Sequence, residues 1–315
     1  MANVVAASGR MRHGDAGDGG TERGMELRVL RYFLAAAEEG SVTGGAELLR
    51  ISQPTMSRQL QQLERELGVT LFERGQRSIT LTPEGMLLRD RARALVELAD
   101  KTISDVSNRS AGELDGEIAI CCGELRGVDW IAERMAVFRA RHPRVRFALF
   151  SATADVMQER LEQGLSDVAV MGGAIDAERF GFLNLPQADR WGVMMRDDDP
   201  LSGLDGITPD DLGGREVLMQ YRPQVRGMLD NWFGGVRDEI TVSGTYNLPL
   251  NAAIAVRHGL GVALCIDVGQ VGEGLRFVPL TPHLDVPSVV VWKRNRTLNP
   301  SAAAFVEFLR SGGSI

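Results

Sequence analysis

Residues 51–67 constrain the fold more than any other stretch, because they specify the start and both faces of one helix. Ser52 is a favoured N-cap residue, and Pro54 is tolerated in the first turn, where its missing N–H is no loss. Apolar residues then recur at helical spacing and predict one buried stripe: Met56, Leu60, Leu63 and Leu67. Polar residues occupy the opposite face: Ser57, Arg58, Gln61, Gln62 and Arg65. The pattern predicts an amphipathic helix that begins just after Ser52.

The polar face of this helix has the chemistry of a DNA-reading surface. Arginine, glutamine and serine donate to base edges or phosphates, and arginine is the usual bidentate partner of guanine. The expected groove contacts are Ser52, Gln53, Thr55, Ser57, Arg58 and Gln61. An ordinary amphipathic surface helix has the same pattern, so the segments on either side must decide between the two interpretations.

The preceding segment predicts two helices, the second of them short. Gly40 ends the first helix, and Ser41 caps a second that runs to residue 49. Gly44 and Gly45 are unusual inside a helix, and Gly45 is explained if two helices approach closely there. A short helix joined by a tight turn to the polar helix is a helix-turn-helix, which favours DNA binding.

The following segment predicts a wing and then a long helix. Residues 70–81 form two short strands around a glycine-containing turn, which places Arg74 and Arg77 near the tip, within reach of phosphates. Thr82 and Pro83 then begin a helix that runs to Ser107. Its apolar residues alternate steps of four and three, as in a coiled coil: Leu88, Ala92, Leu95, Ala99, Thr102 and Val106. This seam requires a partner, either a second copy of the chain or the remainder of its own domain.

The whole chain has the length and composition of a multi-domain globular protein. Its 315 residues predict two or three domains, and a formal charge of −7 argues against indiscriminate coating of nucleic acid. No apolar run approaches the roughly 20 residues of a membrane span, and no secretory signal is present. Residues 1–24 are expected to be a disordered extension, with Met25 as an alternative start of translation. The expected compartment is the cytoplasm.

Cysteines and histidines give no sign of a metal centre or catalytic site. Cys121 and Cys122 are adjacent on a predicted strand and lack the two-residue gap of zinc sites, so core packing is favoured over a redox-sensing thiol. The four histidines are far apart in the chain. We therefore expect no metal, no cofactor and no enzymatic activity.

Residues 25–107 resemble the winged helix-turn-helix and linker helix of LysR-type transcriptional regulators. The matching segments include Leu30-Arg31-Tyr32-Phe33, Ser52-Gln53-Pro54-Thr55-Met56-Ser57-Arg58, Leu63-Glu64-Arg65-Glu66-Leu67-Gly68, Leu71-Phe72-Glu73-Arg74 and Leu81-Thr82-Pro83-Glu84-Gly85. The chain departs from the family at Gly44 and Gly45 and in its N-terminal extension. The resemblance implies a DNA-binding regulator that forms a homodimer or homotetramer and reads an inverted repeat in a promoter.

From residue 116 strands and helices alternate, which predicts a mostly parallel sheet. This half resembles the effector-binding domain of the same family, a two-lobed fold like that of periplasmic binding proteins. In such folds ligands lie at the carboxyl ends of strands and the N-termini of helices, and helix N-termini favour an anion such as a small carboxylate. The candidate effector-binding residues are Gly123, Glu124, Ser151, Thr153, Gly172, Gln220, Tyr221 and Asn247.

The sequence therefore predicts an α/β multi-domain chain. The expected domains are an extension over 1–24, a winged helix-turn-helix over 25–82, a linker and dimerisation helix with its hinge over 83–115, and an effector-binding domain over 116–315. Lobe I would comprise 116–185 and 281–315, and lobe II 186–280. The predicted function is transcription regulation controlled by a small molecule bound between the lobes. A solute-binding protein or enzyme with an N-terminal oligomerisation module is the alternative.

Overall fold

A computed structural model describes residues 25–75, 78–107, 113–269 and 272–312. The predicted N-terminal extension and Arg77 therefore lie outside the described residues. The chain divides into two compact units, with the boundary between Val96 and Glu97. Among the described residues, no helix is long and apolar enough to cross a membrane, and no cluster of three or more His, Cys, Asp or Glu side chains is arranged to hold a metal ion.

The first unit is the predicted winged helix-turn-helix. Its elements are α1 (Leu27–Glu38), α2 (Val42–Leu48), α3 (Gln53–Leu67), β1 (Phe72–Arg74) and β2 (Ile79–Leu81). The two strands pair antiparallel, with Phe72 opposite Leu81. One apolar core joins the helices to the wing and includes Leu30, Phe33, Met56, Leu60, Leu63 and Leu71.

A tight turn joins α2 to α3. Ser41 caps α2 by accepting a hydrogen bond from the Gly44 N–H at 3.2 Å. Arg50 then adopts a left-handed conformation, with φ of 55°, and the Ile51 N–H donates to the Ala46 carbonyl at 3.0 Å. The turn reverses the chain within a few residues and presents the start of α3 at the surface.

The long helix α4 (Pro83–Ser107) has the predicted bounds, but its seam differs from the prediction. Leu88 and Ala92 pack, together with Val96, against the core of the first unit. Leu87 and Leu95 remain 63% and 41% exposed. The predicted seam therefore combined residues that pack against the first unit with residues that remain exposed. Helical spacing identifies apolar positions but does not show what each of them packs against.

The second unit contains two lobes, each built on its own sheet. Lobe I has the sheet order β4-β3-β5-β13-β6 and contains β3 (Gly116–Cys122), α5 (Gly127–Arg141), β4 (Val145–Ser151), α6 (Ala154–Gln163), β5 (Val168–Gly172), β6 (Phe180–Asn184), β13 (Ser288–Lys293) and α9 (Pro300–Arg310). Lobe II has the order β11-β7-β10-β8-β9 and contains β7 (Asp189–Arg196), β8 (Glu216–Gln220), α7 (Pro223–Phe233), β9 (Thr241–Tyr246), α8 (Pro249–Arg257), β10 (Val262–Ile266) and β11 (Leu275–Pro279), with β12 (Asp285–Val286) paired to β7.

The expectation of a mostly parallel sheet was wrong. In lobe I, β3 pairs parallel with β4 and β5, whereas β13 pairs antiparallel with β5 and β6. In lobe II, β8 pairs parallel with β9 and β10, whereas β7 pairs antiparallel with β10, β11 and β12. The antiparallel strands include those by which the chain enters lobe II and returns to lobe I. A chain that crosses between two lobes and returns must reverse direction, which alternation of strands and helices alone does not reveal.

Candidate DNA-binding helix and effector cleft

The N-terminus of α3 is closed by two hydroxyl side chains. The Ser52 Oγ accepts from the Thr55 N–H at 3.4 Å and shares a hydrogen bond with the Thr55 Oγ1 at 2.7 Å. Gln53, between them in the chain, is exposed. Capping fixes where the helix begins, and therefore which of its residues face outward.

The outer face of α3 presents the predicted polar residues to solvent. Arg58 and Gln61 are exposed and lie three residues apart, so their side chains are neighbours on the helix surface. The Arg58 Nε donates to the Pro54 carbonyl at 3.3 Å, and Ser57 beside it is half-buried. On the opposite side Met56 and Leu60 are 0% and 3% exposed.

The end of the predicted buried stripe needs correction. Leu67, the last residue of α3, is 41% exposed. Gly68 adopts a left-handed conformation immediately after it and ends the helix. The direction of the chain changes at Gly68, so Leu67, the fourth apolar residue of the stripe, lies outside the core.

Glu64 attaches α3 to the wing, a role that the sequence alone did not reveal. Its Oε1 accepts from the backbone N–H groups of Leu71 and Phe72 at 2.8 and 3.3 Å. The wing closes where the Gly75 N–H donates to the Ser78 carbonyl at 2.9 Å. Arg74 ends β1 next to this turn, as predicted from its position.

The second unit contains a cleft between lobes I and II, with a volume of about 90 Å³. Apolar and aromatic side chains form most of its lining, among them Leu125, Met157, Met171, Trp191, Val225, Tyr246, Leu248 and Ile266. Six predicted effector-binding residues also line it: Gly123, Glu124, Thr153, Gly172, Gln220 and Asn247. The strand ends and helix starts identified in the sequence therefore meet at one place.

The two other predicted residues, Ser151 and Tyr221, lie outside the cleft lining. Ser151 is the exposed last residue of β4, and the adjacent Ala152 faces the cleft instead. Tyr221 is 46% exposed, although its backbone N–H is held by the Tyr246 carbonyl at 3.0 Å. Successive side chains alternate in direction at a strand end, so a shift of one residue changes which one faces a ligand.

Polar bridges connect the two lobes across the cleft. A Glu124 carboxylate oxygen from lobe I accepts from the Leu250 N–H in the first turn of α8 at 2.7 Å. Arg222 from lobe II binds Asp155 of lobe I through two hydrogen bonds of 2.9 and 2.8 Å. These contacts hold the lobes in one relative arrangement.

A buried carboxylate lies where the chain passes from lobe I to lobe II. Asp189 is 2% exposed and accepts from the Arg126 N–H at 3.1 Å and from the Ser288 hydroxyl. Burial raises the pKa of Asp189, while the hydrogen bond from Ser288 opposes that rise. Asp189 therefore joins the start of α5 to both crossover strands, β7 and β13.

Sequence reasoning also missed Trp191 and Arg222 in the cleft. An apolar strand surrounds Trp191, so its aromatic ring was expected only in a core. Arg222 precedes Pro223, and nothing in the neighbouring sequence distinguishes it from the other arginines of the chain. Only the arrangement of the two lobes shows that these side chains face the candidate ligand site.

The cysteines are buried thiols, in agreement with their expected structural role. Cys121, Cys122 and Cys265 are 0%, 6% and 0% exposed and form no disulfide. Burial raises the pKa of Cys121 to about 11 and the pKa values of Cys122 and Cys265 to about 12. Protonated, inaccessible thiols are poor redox sensors at neutral pH.

Comparison with known families gives two matches that together cover most of the chain. Residues 27–86 match the profile described as bacterial regulatory helix-turn-helix protein, lysR family. Residues 111–314 match the profile described as LysR substrate binding domain. The first match covers the helix-turn-helix and wing, and the second covers both lobes.

Individual relatives match most of the chain. The chain is 37% identical over 257 residues to the HTH-type transcriptional regulator BenM of Acinetobacter baylyi, covering 81% of this chain and 80% of BenM. It is 31% identical over 266 residues to a probable RuBisCO transcriptional regulator of Porphyra purpurea, covering 82% of each. The crystal structure of CbnR, a LysR family transcriptional regulator, has a TM-score of 0.73 at 21% identity, covering 92% of this chain and all of CbnR. The last similarity concerns the fold.

Proposed function

The chain belongs to the LysR family of transcriptional regulators, and we propose which of its residues bind DNA and which bind the effector. It is a DNA-binding regulator with an effector-binding domain, and it is not an enzyme. The alternative of a solute-binding protein or enzyme with an oligomerisation module is thereby set aside. Because its target is promoter DNA, we expect it to act in the cytoplasm.

DNA recognition rests on the outer face of α3. Arg58 and Gln61 face solvent while Met56 and Leu60 on the opposite side are buried, and this division of one helix into two faces is the observation that carries the proposal. Such a helix fits the major groove, with its N-terminal residues at base edges. Arg58 is assigned to a guanine, Gln53, Ser57 and Gln61 to neighbouring positions, and Arg74 and Arg77 to phosphates. Ser52 and Thr55 position the start of the helix and adjoin the same groove.

The decisive experiment replaces Arg58 by alanine in the full-length protein. Binding to the DNA upstream of its own gene is measured by fluorescence anisotropy at several salt concentrations. Loss of a bidentate base contact costs about 1–3 kcal/mol, so we expect affinity for this DNA to fall about tenfold to hundredfold. Affinity for a scrambled duplex should fall far less, because phosphate contacts dominate non-specific binding.

Arg310→Ala is the matched control, since Arg310 is an exposed arginine on α9 of the second unit, paired with Glu307 at 3.2 Å. This variant should bind both duplexes like the wild type. If Arg58→Ala binds the specific duplex with unchanged affinity, the assignment of α3 as the reading helix is wrong.

Effector binding is assigned to the cleft between the lobes. Gly123, Glu124, Thr153 and Gly172 contribute from lobe I, and Gln220 and Asn247 from lobe II. A ligand that contacts both lobes favours one lobe arrangement over others, and it changes DNA binding only through this difference in affinity.

Self-association is assigned to α4, whose Leu87 and Leu95 are exposed. Apolar side chains left exposed along a long helix are most simply covered by the same helix of a second copy. A homodimer, or a homotetramer formed from two dimers, then presents paired α3 helices to an inverted repeat.

A further inference from the structure

Two residues that line the cleft each carry a buried polar atom with no hydrogen-bond partner among the described residues. The atoms are the Thr153 Oγ1 of lobe I and the Trp191 Nε1 of lobe II. Thr153 is 9% exposed and Trp191 is 3% exposed, and both side chains line the cleft. An unpaired buried polar group is destabilising, so a ligand oxygen that pairs with these groups gains affinity.

The first turn of α6 contributes backbone N–H donors next to Thr153 on lobe I. Thr153 is its N-cap residue, and its side chain makes no capping hydrogen bond. Thr153 and Ala154 both line the cleft. The N–H groups of a helix start attract an oxygen acceptor.

The other polar groups of lobe II are engaged within the chain. The Gln220 amide donates to the Asn247 carbonyl at 2.8 Å and accepts from the Tyr221 N–H at 2.8 Å. The Tyr246 hydroxyl donates to the Leu264 carbonyl, and Arg222 is paired with Asp155. Asn247 also lines the cleft, and its Oδ1 accepts from the Leu248 N–H at 2.9 Å. The rest of the lobe II lining is mainly apolar and includes Val225, Leu248 and Ile266.

Glu124 occupies another helix start at the cleft that would attract an anion. Its carboxylate accepts from the Leu250 N–H in the first turn of α8 at 2.7 Å, while its side chain remains half-buried at the cleft. No side chain of the N-cap residue, Leu248, competes for that turn. A second anion placed there would have to displace the carboxylate or lie beside it, and like charges in close contact are strongly unfavourable.

We propose that the cleft takes a small effector with a single oxygen-bearing head and an apolar body, and that Glu124 excludes ligands with a second anionic group. The head pairs with Thr153 and Trp191, and the body lies against the apolar side chains of lobe II. This inference rests on the effector site proposed above. It narrows the expected carboxylate to a monocarboxylate or an uncharged carbonyl compound.

The test uses three probes that differ only in their polar groups: butanoate, butanamide and succinate. Dissociation constants for the full-length protein are measured by ligand-detected NMR titration. Butanoate or butanamide should bind, and comparing the two shows whether the head is charged or neutral. Succinate, which replaces the terminal methyl of butanoate with a second carboxylate, should bind at least about tenfold more weakly.

Glu124→Ala exposes the Leu250 N–H, and Glu124→Gln keeps an acceptor for it but removes the charge. Both variants should improve the binding of succinate relative to butanoate, the first by about tenfold. Glu273→Ala, which changes an exposed glutamate of lobe II, should leave the ratio unchanged. Thr153→Val should weaken the binding of butanoate and of butanamide several-fold, and Thr153→Ser should bind them with the affinity of the wild type.

Several results would overturn the proposal. They are equal binding of succinate and butanoate by the wild type, an unchanged ratio in both Glu124 variants, absence of binding by both one-headed probes, or full affinity in Thr153→Val. The DNA-binding test of Arg58 does not depend on any of these measurements. A chain that passes that test and fails this one would keep its function as a regulator and lose only the proposed effector chemistry.

Discussion

Gly45 of α2 packs directly against the backbone of α1, so a Cβ at Gly45 would lie 2.7 Å from the Ala36 nitrogen. No side chain fits at that distance unless the two helices separate. We expect Gly45→Ala to destabilise the helix-turn-helix by about 1–3 kcal/mol, the usual cost of overpacking. Hydrogen exchange by mass spectrometry in peptides covering α1 and α2 measures the change.

Gly44 provides a control on the same helix. A Cβ there would lie 3.2 Å from the Cβ of Glu39, so the backbone of Glu39 must shift by a few tenths of an ångström. Alanine favours a helix interior over glycine by up to about 1 kcal/mol, which offsets part of this cost, so Gly44→Ala should destabilise much less than Gly45→Ala. If the two variants change hydrogen exchange equally, close packing at Gly45 is not the reason that glycine is needed there.

The exposed leucines of α4 give a prediction about self-association. Replacing both Leu87 and Leu95 by lysine removes apolar area from the proposed interface and adds charge to it. We expect the double variant to sediment with a lower mean mass than the wild type at the same micromolar concentration. Leu204→Lys is the control, because Leu204 is 40% exposed, close to the 41% of Leu95, but lies in lobe II. An unchanged mean mass in the double variant would show that the interface does not include Leu87 and Leu95.

The buried thiols predict chemical inertness. With pKa values of about 11 for Cys121 and about 12 for Cys122 and Cys265, almost no thiolate is present at pH 8. We expect the folded protein to resist iodoacetamide for hours and all three cysteines to react after denaturation. Intact-mass spectrometry counts the labels. Rapid labelling of Cys121 in the folded chain would instead support the redox-sensing alternative.

The helix-turn-helix was predictable because its signals are local. Ser52, Pro54 and Gly68 fix the ends of α3 by the conformations that these residue types favour, and Met56, Leu60 and Leu63 mark its buried side. No long-range information is needed to identify such a helix. The confirmed bounds of α4 follow from the same kind of signal at Pro83.

The cleft was predictable only in outline, because its chemistry depends on contacts between distant residues. Glu124 and Leu250 are 126 positions apart, and Arg222 and Asp155 are 67 apart. The sequence identified Glu124 as a candidate contact, whereas the structure shows that its carboxylate occupies a helix start on the opposite lobe. Trp191 was missed because a tryptophan within an apolar strand has the pattern of a core residue.

Arg160 of α6 bonds Glu97 of α4, and α6 begins at the cleft, where Thr153 and Ala154 are part of the lining. One helix therefore joins the candidate effector site to the second half of the linker helix. The Arg160 side chain is 13% exposed and lies 4.1 Å from the centre of the Phe150 ring, so little freedom remains to it. We expect Arg160→Ala and Glu97→Ala to increase hydrogen exchange in residues 97–107.

The expected increase is at most about fivefold, because Glu97 is 46% exposed and such pairs contribute about 0.2–1 kcal/mol. The exchanged pair, Glu97→Arg with Arg160→Glu, should recover part of the protection, which loss of packing around Arg160 alone would not explain. Arg310→Ala, which breaks an exposed pair with Glu307 on α9, should leave residues 97–107 unchanged. If the two single variants exchange like the wild type, α6 does not hold the linker helix through this pair, and any signal from the cleft must take another route.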